Sequence, residues 1–402
     1  MQTPEARREN IIAYVLGAIQ FAHILDFVIM MPLGPMLMRE LSISPSKFGI
    51  LVSSYTFAAG IANFLASLVA DRFERKTILQ ICFAGFISGT LFCALAPNYE
   101  SLLIARILAG TFGGVLNAVV FALIADLISV ERRGAATGIV MSAFSVSSVI
   151  GVPIGLALAE WFNWHAPFIF IVIIGLAFWF LAHMMIPLIG NAGTATSPRD
   201  TLKNFWEVMS DKKHVYGFLL TSLLGFGIFM IIPFLSPSMV KNVKIAETDL
   251  KYVYLVGGAA TIFSARFIGR LCDRLGPFRV FSVVMLISFI PIIAVTHLGP
   301  SPLWLLLTFS TMFMMTGSGR FIPAMTLLGL MVNPKKRGTF MGLENAFRQI
   351  ASGVSSMLAG LILYESSSGE LMNFNILGYI ALLTTLLAWF FARYVARVSG
   401  IK

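Results

Sequence analysis

Long apolar runs, separated by short stretches rich in charge or in Pro, Gly and Asn, recur along the whole chain. Twelve are legible, at roughly 11–38, 46–70, 77–96, 101–127, 134–159, 166–187, 214–239, 249–272, 278–298, 303–331, 338–364 and 372–397. A bilayer core is crossed by roughly 20 apolar residues in a helix, so each run predicts a membrane-spanning helix. The polar start Met1 to Asn10 leads straight into a span longer than the apolar core of a signal peptide, with no small-residue cleavage site after it, which predicts a retained first helix. The longest interruption, Pro187 to Lys213, is rich in Gly, Thr, Ser and charge and falls at the midpoint. Within it Leu202, Phe205, Trp206 and Met209 have the spacing of a short amphipathic helix on a membrane surface.

Composition agrees with a polytopic helical membrane protein. The 402 residues are 57% hydrophobic and 12% charged, with a mean hydropathy of +0.85, outside the range of ordinary water-soluble domains. Cys82, Cys93 and Cys272 lie in or beside apolar runs without disulfide or metal spacing and read as packing residues.

The net charge of +10 reads as topology and gives no sign of nucleic-acid binding. Of 29 Lys and Arg, five fall within spans (Arg106, Arg266, Arg270, Arg320, Arg348) and five in one set of loops (Arg39, Lys47, Lys241, Lys244, Lys251). The other nineteen collect on the side that bears both termini. Basic residues mark the cytoplasmic side, so both termini are expected there.

The chain also repeats itself. Ser67-Leu-Val-Ala-Asp71-Arg72-Phe-Glu74-Arg75-Lys76 follows span two, and Gly269-Arg-Leu-Cys-Asp273-Arg274-Leu-Gly276 follows span eight, with aspartates 202 residues apart. Glu131-Arg-Arg133-Gly134 through Gly138 matches Lys335-Lys-Arg337-Gly338 through Gly342 at an offset of 204. Two similarities at nearly one offset predict parallel six-helix halves, with a ligand site near mid-bilayer where they meet. The expected division is 1–187, a cytoplasmic linker 188–213, and 214–402.

On these residues the chain resembles the major facilitator superfamily over essentially its whole length. That family's loop signature is matched by Ala70, Asp71, Arg72, Arg75 and Lys76, with departures at Ser67, Val69 and Glu74; the second copy has Pro277 and Phe278 where basic residues would stand. Arg106 to Gly114 in span four resembles the segment whose arginine takes part in proton coupling. Ser147 to Gly155 in span five, with Gly151, Pro153 and Gly155, resembles the antiporter motif, with Ser147, Val152 and Leu156 departing from it. Together with an acid in span one and Trp164 to Phe168, these features resemble the twelve-span drug:proton antiporter group. The resemblance implies an all-α fold of two six-helix bundles related by a pseudo-two-fold axis, a bacterial-type inner membrane setting, and a monomer. It also implies a small-molecule substrate, amphipathic and drug-like or a metabolite, exported against protons by alternating access.

Nothing in the chain suggests an enzyme, a cofactor or a metal site: no Gly-x-x-x-x-Gly-Lys loop, no clustered ligands and no soluble domain. Two rivals stay open, a proton symporter or facilitator for a sugar, organic acid or metal ion, and a non-transporting receptor or lipid-moving protein on the same scaffold.

Of nineteen acids, Asp26 and Glu344 lie deep in spans. An acid at mid-bilayer costs roughly 2.5 to 3.5 kcal/mol on insertion scales and is expected to face a cavity or a partner. Gln20, His23, Asp26 or Phe27, and Met30 share one helical face, expected to line a pathway, with Asp26 as proton carrier, Arg106 as its partner and His23 as either a relay or a packing residue. Glu344 and Arg348 stand at the spacing of an intrahelical ion pair. Arg320, Arg348, Asn117, Asn345, Gln20, Met30, Phe226 and Phe229 are the candidate substrate contacts. Asp71, Arg72, Arg75, Asp126, Asp273 and Arg274 are the candidate gate. Gly110, Gly114, Gly151 and Gly155 allow close helix approach, and Pro153 frees a carbonyl and permits a bend.

Overall fold

In lipid a backbone must satisfy its own polar groups, so apolar runs of this length become helices. The computed structural model describes residues 4–69, 74–188, 198–333 and 336–400. The first half comprises α1 (Pro4–Ile29), α2 (Gly34–Glu40), α3 (Pro45–Val69), α4 (Arg75–Leu95), α5 (Tyr99–Leu127), α6 (Arg133–Val146), a π-helical turn (Ser147–Gly151), α7 (Val152–Trp161) and α8 (Ala166–Met185). After α9 (Pro198–Ser210), the second half comprises α10 (Lys212–Phe229), α11 (Ile232–Lys241), α12 (Leu250–Leu275), α13 (Pro277–His297), α14 (Leu303–Met331), α15 (Arg337–Ile362) and α16 (Phe374–Val398).

Among the described residues, ten helices are long and apolar enough to cross a membrane by length and composition. Helices α14 and α15 complete the twelve, and they are the two that carry Arg320, Glu344 and Arg348 within their length. Three spans are interrupted. The first breaks at Met30–Leu33, beside Pro32 and Gly34, so the expected single run 11–38 is α1 plus α2. The seventh breaks at Met230–Ile231, ahead of Pro233, at the equivalent place in the second half. The fifth changes to a π-helical turn just before Pro153, which has no N–H to offer the preceding turn. A short hairpin of Tyr364–Glu365 and Leu371–Met372 joins α15 to α16, an element the hydrophobic pattern did not predict.

Local chemistry sets the helix starts. Glu74 caps α4, its carboxylate accepting from the amides of Lys76 (3.0 Å) and Thr77 (2.6 Å), so this departure from the loop signature has a structural use. Asn98 and Ser101 form a capping box on α5.

The internal repeat is visible in the packing. Helix α1 lies against α6 and α8, α3 against α5, and α4 against α5 and α8; correspondingly, α10 lies against α15 and α16, α12 against α14, and α13 against α14 and α16. The halves meet along α3 and α15 and where α12 packs on the π-helical turn and α7. Along the first seam small residues let the backbones approach: a Cβ on Gly49 would sit 2.7 Å from the Ser356 carbonyl oxygen and 3.0 Å from the Gly360 Cα.

Candidate functional site: a buried ion pair beside the seam between the halves

The acid in the first span is fully buried. Asp26 is 0% exposed and its Oδ2 lies 2.8 Å from Nη1 of Arg106, which is 1% exposed. Its Oδ1 accepts from the Thr90 hydroxyl at 3.1 Å. Helices α1, α4 and α5 thus each supply one member of the cluster. The Arg106 guanidinium lies over the Tyr55 ring at 4.4 Å, and Gly110 and Gly114 bring α5 directly onto the α3 backbone at Tyr55 and Ala59. A buried carboxylate in this setting needs both its charge partner and its remaining hydrogen bonds, and it has them.

Asp26, Gln20 and Met30 are all buried, and Met30 lies in an apolar cluster to which both halves contribute. Phe27, the next residue, faces the second half: its ring stands 5.2 Å from Tyr55 and 5.8 Å from Phe229. Gln20 Nε2 donates to Asn117 Oδ1 at 3.0 Å. His23 packs edge-on against Phe86 at 5.5 Å, and neither of its ring nitrogens has a protein partner.

The antiporter-like segment packs on the same helix. A Cβ on Gly151 would lie 2.7 Å from Leu25, and one on Gly155 2.6 Å from Ile29. The Ser147 hydroxyl donates to the Phe21 carbonyl at 3.2 Å. Pro153, at the start of α7, follows the π-helical turn.

In the second half, Glu344 Oε1 accepts from Arg348 Nε at 3.0 Å and Asn345 Oδ1 from Arg348 Nη2 at 2.6 Å. The Arg348 guanidinium lies 5.9 Å from the Phe321 ring. Arg320, 2% exposed, donates from Nη1 to the Thr385 hydroxyl at 2.7 Å, and its Nε has no partner. It points back towards α16 and forms no ion pair among the described residues. Phe226 and Phe229 are half-buried, and their carbonyls accept from Ser355 and Ser356.

Among the expected gate residues, Arg75 Nε lies 2.5 Å from Asp126 Oδ2. Asp273 and Arg274 are exposed at the end of α12, and Asp71 and Arg72 lie outside the described residues. Two ion pairs among the described residues cross between the halves, Arg39 with Glu247 and Lys251 with Glu160, the latter at 3.1 Å. Both sit at the face opposite the termini. Sequence reasoning missed them: their members are 208 and 91 residues apart, and no local spacing connects them. Tyr55 and Thr90 were missed too, being neutral residues inside apolar runs.

Helix α9 was expected on a membrane surface. It packs on α3, α10 and α15, with the Phe205 ring 5.3 Å from Phe64, Val208 buried and Trp206 turned outward. Glu207 accepts from Lys336 Nζ at 2.6 Å, and that bond with the lysine charge holds its carboxyl below the ordinary range.

The family model described as Major Facilitator Superfamily matches residues 16–224 and again 217–400. The MFS-type transporter YceJ of Bacillus subtilis (strain 168) is 25% identical over 369 residues, 89% of this chain and 91% of its own length. Among solved structures, the nucleoside transporter NupG superposes with a TM-score of 0.76 at 13% identity, covering 96% of this chain and 99% of that one. A D-xylose-proton symporter gives 0.72 at 16% identity, with 95% and 97% covered. The chain belongs to the major facilitator superfamily.

Proposed function

We propose that this secondary transporter exports a small amphipathic, drug-like molecule or metabolite in exchange for protons, by alternating access between its two halves. The observation that carries the reading is the Asp26–Arg106 pair, an ionisable acid without exposed surface in a membrane span. Protonation of Asp26 removes the negative partner of Arg106 and leaves a buried cation uncompensated, so the pair favours different packings in its two states. Phe27, adjacent to Asp26, carries that change to Phe229 of the other half. The glycines of the Ser147–Gly155 segment press on α1 at Leu25 and Ile29, which supports a role in excluding leak beside the acid.

The nineteen-to-five bias of basic residues supports a cytoplasmic terminal face; the division at 1–187, 188–213 and 214–402 goes with it. In this reading the two cross-half ion pairs close the outer face, and Arg75, Asp126, Asp273 and Arg274, with Asp71 and Arg72, act at the inner one. Arg348, Asn345, Phe226 and Phe229 are the proposed substrate contacts. About 100 mV contributes roughly 2.3 kcal/mol per charge and one pH unit about 1.4, so one electrogenic proton supports a gradient of roughly several hundredfold for a neutral substrate. A second reading, symport or facilitated passage of an organic acid, is favoured by buried Arg320, which has no carboxylate partner among the described residues. A resistance and uptake screen in cells expressing wild type and Asp26→Asn tests the proposal. A substrate exported by wild type alone supports it, and equal pH-dependent export by both contradicts it.

A further inference from the structure

We propose that a water-carrying hydrogen-bonded path runs from the Asp26–Arg106 pair to Asn117, past Tyr55, His23 and Gln20, and that protons leave Asp26 along it towards the face that carries the termini. The proposal rests on Asp26 being the proton site.

The path is laid out on two packed helices. Gln20, His23 and Asp26 follow one another at three-residue steps on α1, which spans roughly 9 Å at 1.5 Å per residue. Arg106, Gly113 and Asn117 run the opposite way along antiparallel α5, with Arg106 beside Asp26 and Asn117 beside Gln20. Buried polar atoms without a protein partner gather here: Gln20 Oε1, both ring nitrogens of His23, Tyr55 Oη and Arg106 Nε. They centre on Gly113, where a Cβ would lie 2.6 Å from Tyr55 Oη and 3.0 Å from His23 Nε2. The glycine therefore lets a hydroxyl and an imidazole close on the α5 backbone with no side chain between them. A buried polar atom left unpaired costs about 1–3 kcal/mol, and buried water with two to four polar partners is how proteins avoid that cost.

The fold itself does not require these groups. Helices α5 and α14 have equal length, and register of one on the other places Ser310, Gly317 and Phe321 where Arg106, Gly113 and Asn117 stand. Aligning the ends of α1 and α10 puts Leu220, Leu223 and Phe226 at Gln20, His23 and Asp26. The glycine recurs in the second half, but the polar chain does not.

In the release step the Asp26 carboxylic acid gives its proton to water. His23 accepts a proton at one ring nitrogen and releases one from the other, the Tyr55 oxygen accepts a proton as it gives up its own hydroxyl hydrogen, and the excess proton reaches solvent beyond Asn117. Asp26 ends as a carboxylate facing Arg106, which keeps its charge. Titratable groups around the path are Asp26, Arg106, Tyr55, His23 and the Cys93 thiol beside Arg106.

The test is a stopped-flow pH jump on the full chain in nanodiscs, read with a soluble indicator dye, so that the proton is the only ligand needed. Wild type should show a proton-transfer phase that Asp26→Asn lacks. Gly113→Ala forces the hydroxyl and the imidazole away from α5, and Tyr55→Phe removes the hydroxyl without adding bulk; each should slow that phase by about tenfold or more at unchanged amplitude. Wild-type rates in both variants would overturn the path. A phase that survives in Asp26→Asn would instead overturn Asp26 as the proton site.

Discussion

Phe27 and Phe229 meet across the plane that divides the two halves, their ring centroids 5.8 Å apart. One residue earlier, Asp26 is sealed against Arg106 within the first half. The charge and the contact between halves are thus neighbours on one helix, which is how the proposed exchange would tie protonation to movement of the halves. An aromatic pair of this kind is worth about 0.5–1.5 kcal/mol beyond its burial. A double-mutant cycle of Phe27→Leu and Phe229→Leu, read by thermal unfolding in detergent, should return a coupling energy in that range, and the single variants should lower pH-driven transport while sparing the fold.

The buried pair should be far more sensitive to the loss of one partner than of both. Arg106→Met strands the Asp26 charge and is expected to cost about 3–5 kcal/mol. Combining it with Asp26→Leu removes the stranded charge and should recover most of that stability without transport. Thermal melts of the three variants check this.

The Arg39–Glu247 pair should bias the conformational equilibrium with little effect on stability. Its side chains are 57% and 29% exposed, so its contribution is about 1 kcal/mol or less and weakens with salt. Glu247→Arg should raise the reactivity of a cysteine placed at Phe229 towards an impermeant thiol reagent applied from the face opposite the termini. Arg39→Glu in the same chain should reverse the increase.

Acid should loosen α9. The depressed carboxyl of Glu207 favours the docked helix above the ordinary carboxylate range, and that contribution is lost as pH falls through the folded value. After correction for the intrinsic exchange rate, amide protection across 198–210 should fall at acid pH relative to neutral pH in wild type. In Glu207→Gln it should be low at both.

Much of the architecture was legible in the chain because apolar run length decides membrane crossing and two loop motifs recur at nearly one offset. The breaks at Met30–Leu33 and Met230–Ile231 had signals, Pro32 with Gly34 and Pro233, that the run-length criterion passes over. Asp26 and Arg106 stood out as charges among apolar neighbours, and the structure brings them together. Which way Asp26 faces was not legible, because the rotation of α1 is set by its packing on α6 and α8 and by Gly151 and Gly155 against Leu25 and Ile29. The partners Tyr55 and Thr90 carry no charge and sit in sequences that read as ordinary span. The Arg39–Glu247 contact depends on the halves closing on one another, a relation no stretch of sequence contains.

The central claim is that Asp26 must lose and regain its proton in each transport cycle. Proteoliposomes loaded with a substrate found in the screen test it most directly, with efflux driven by an imposed pH gradient compared with counterflow at equal pH, in wild type and in Asp26→Asn. The account predicts that the variant loses gradient-driven efflux and keeps counterflow. Gradient-driven efflux at the wild-type rate in Asp26→Asn would contradict it.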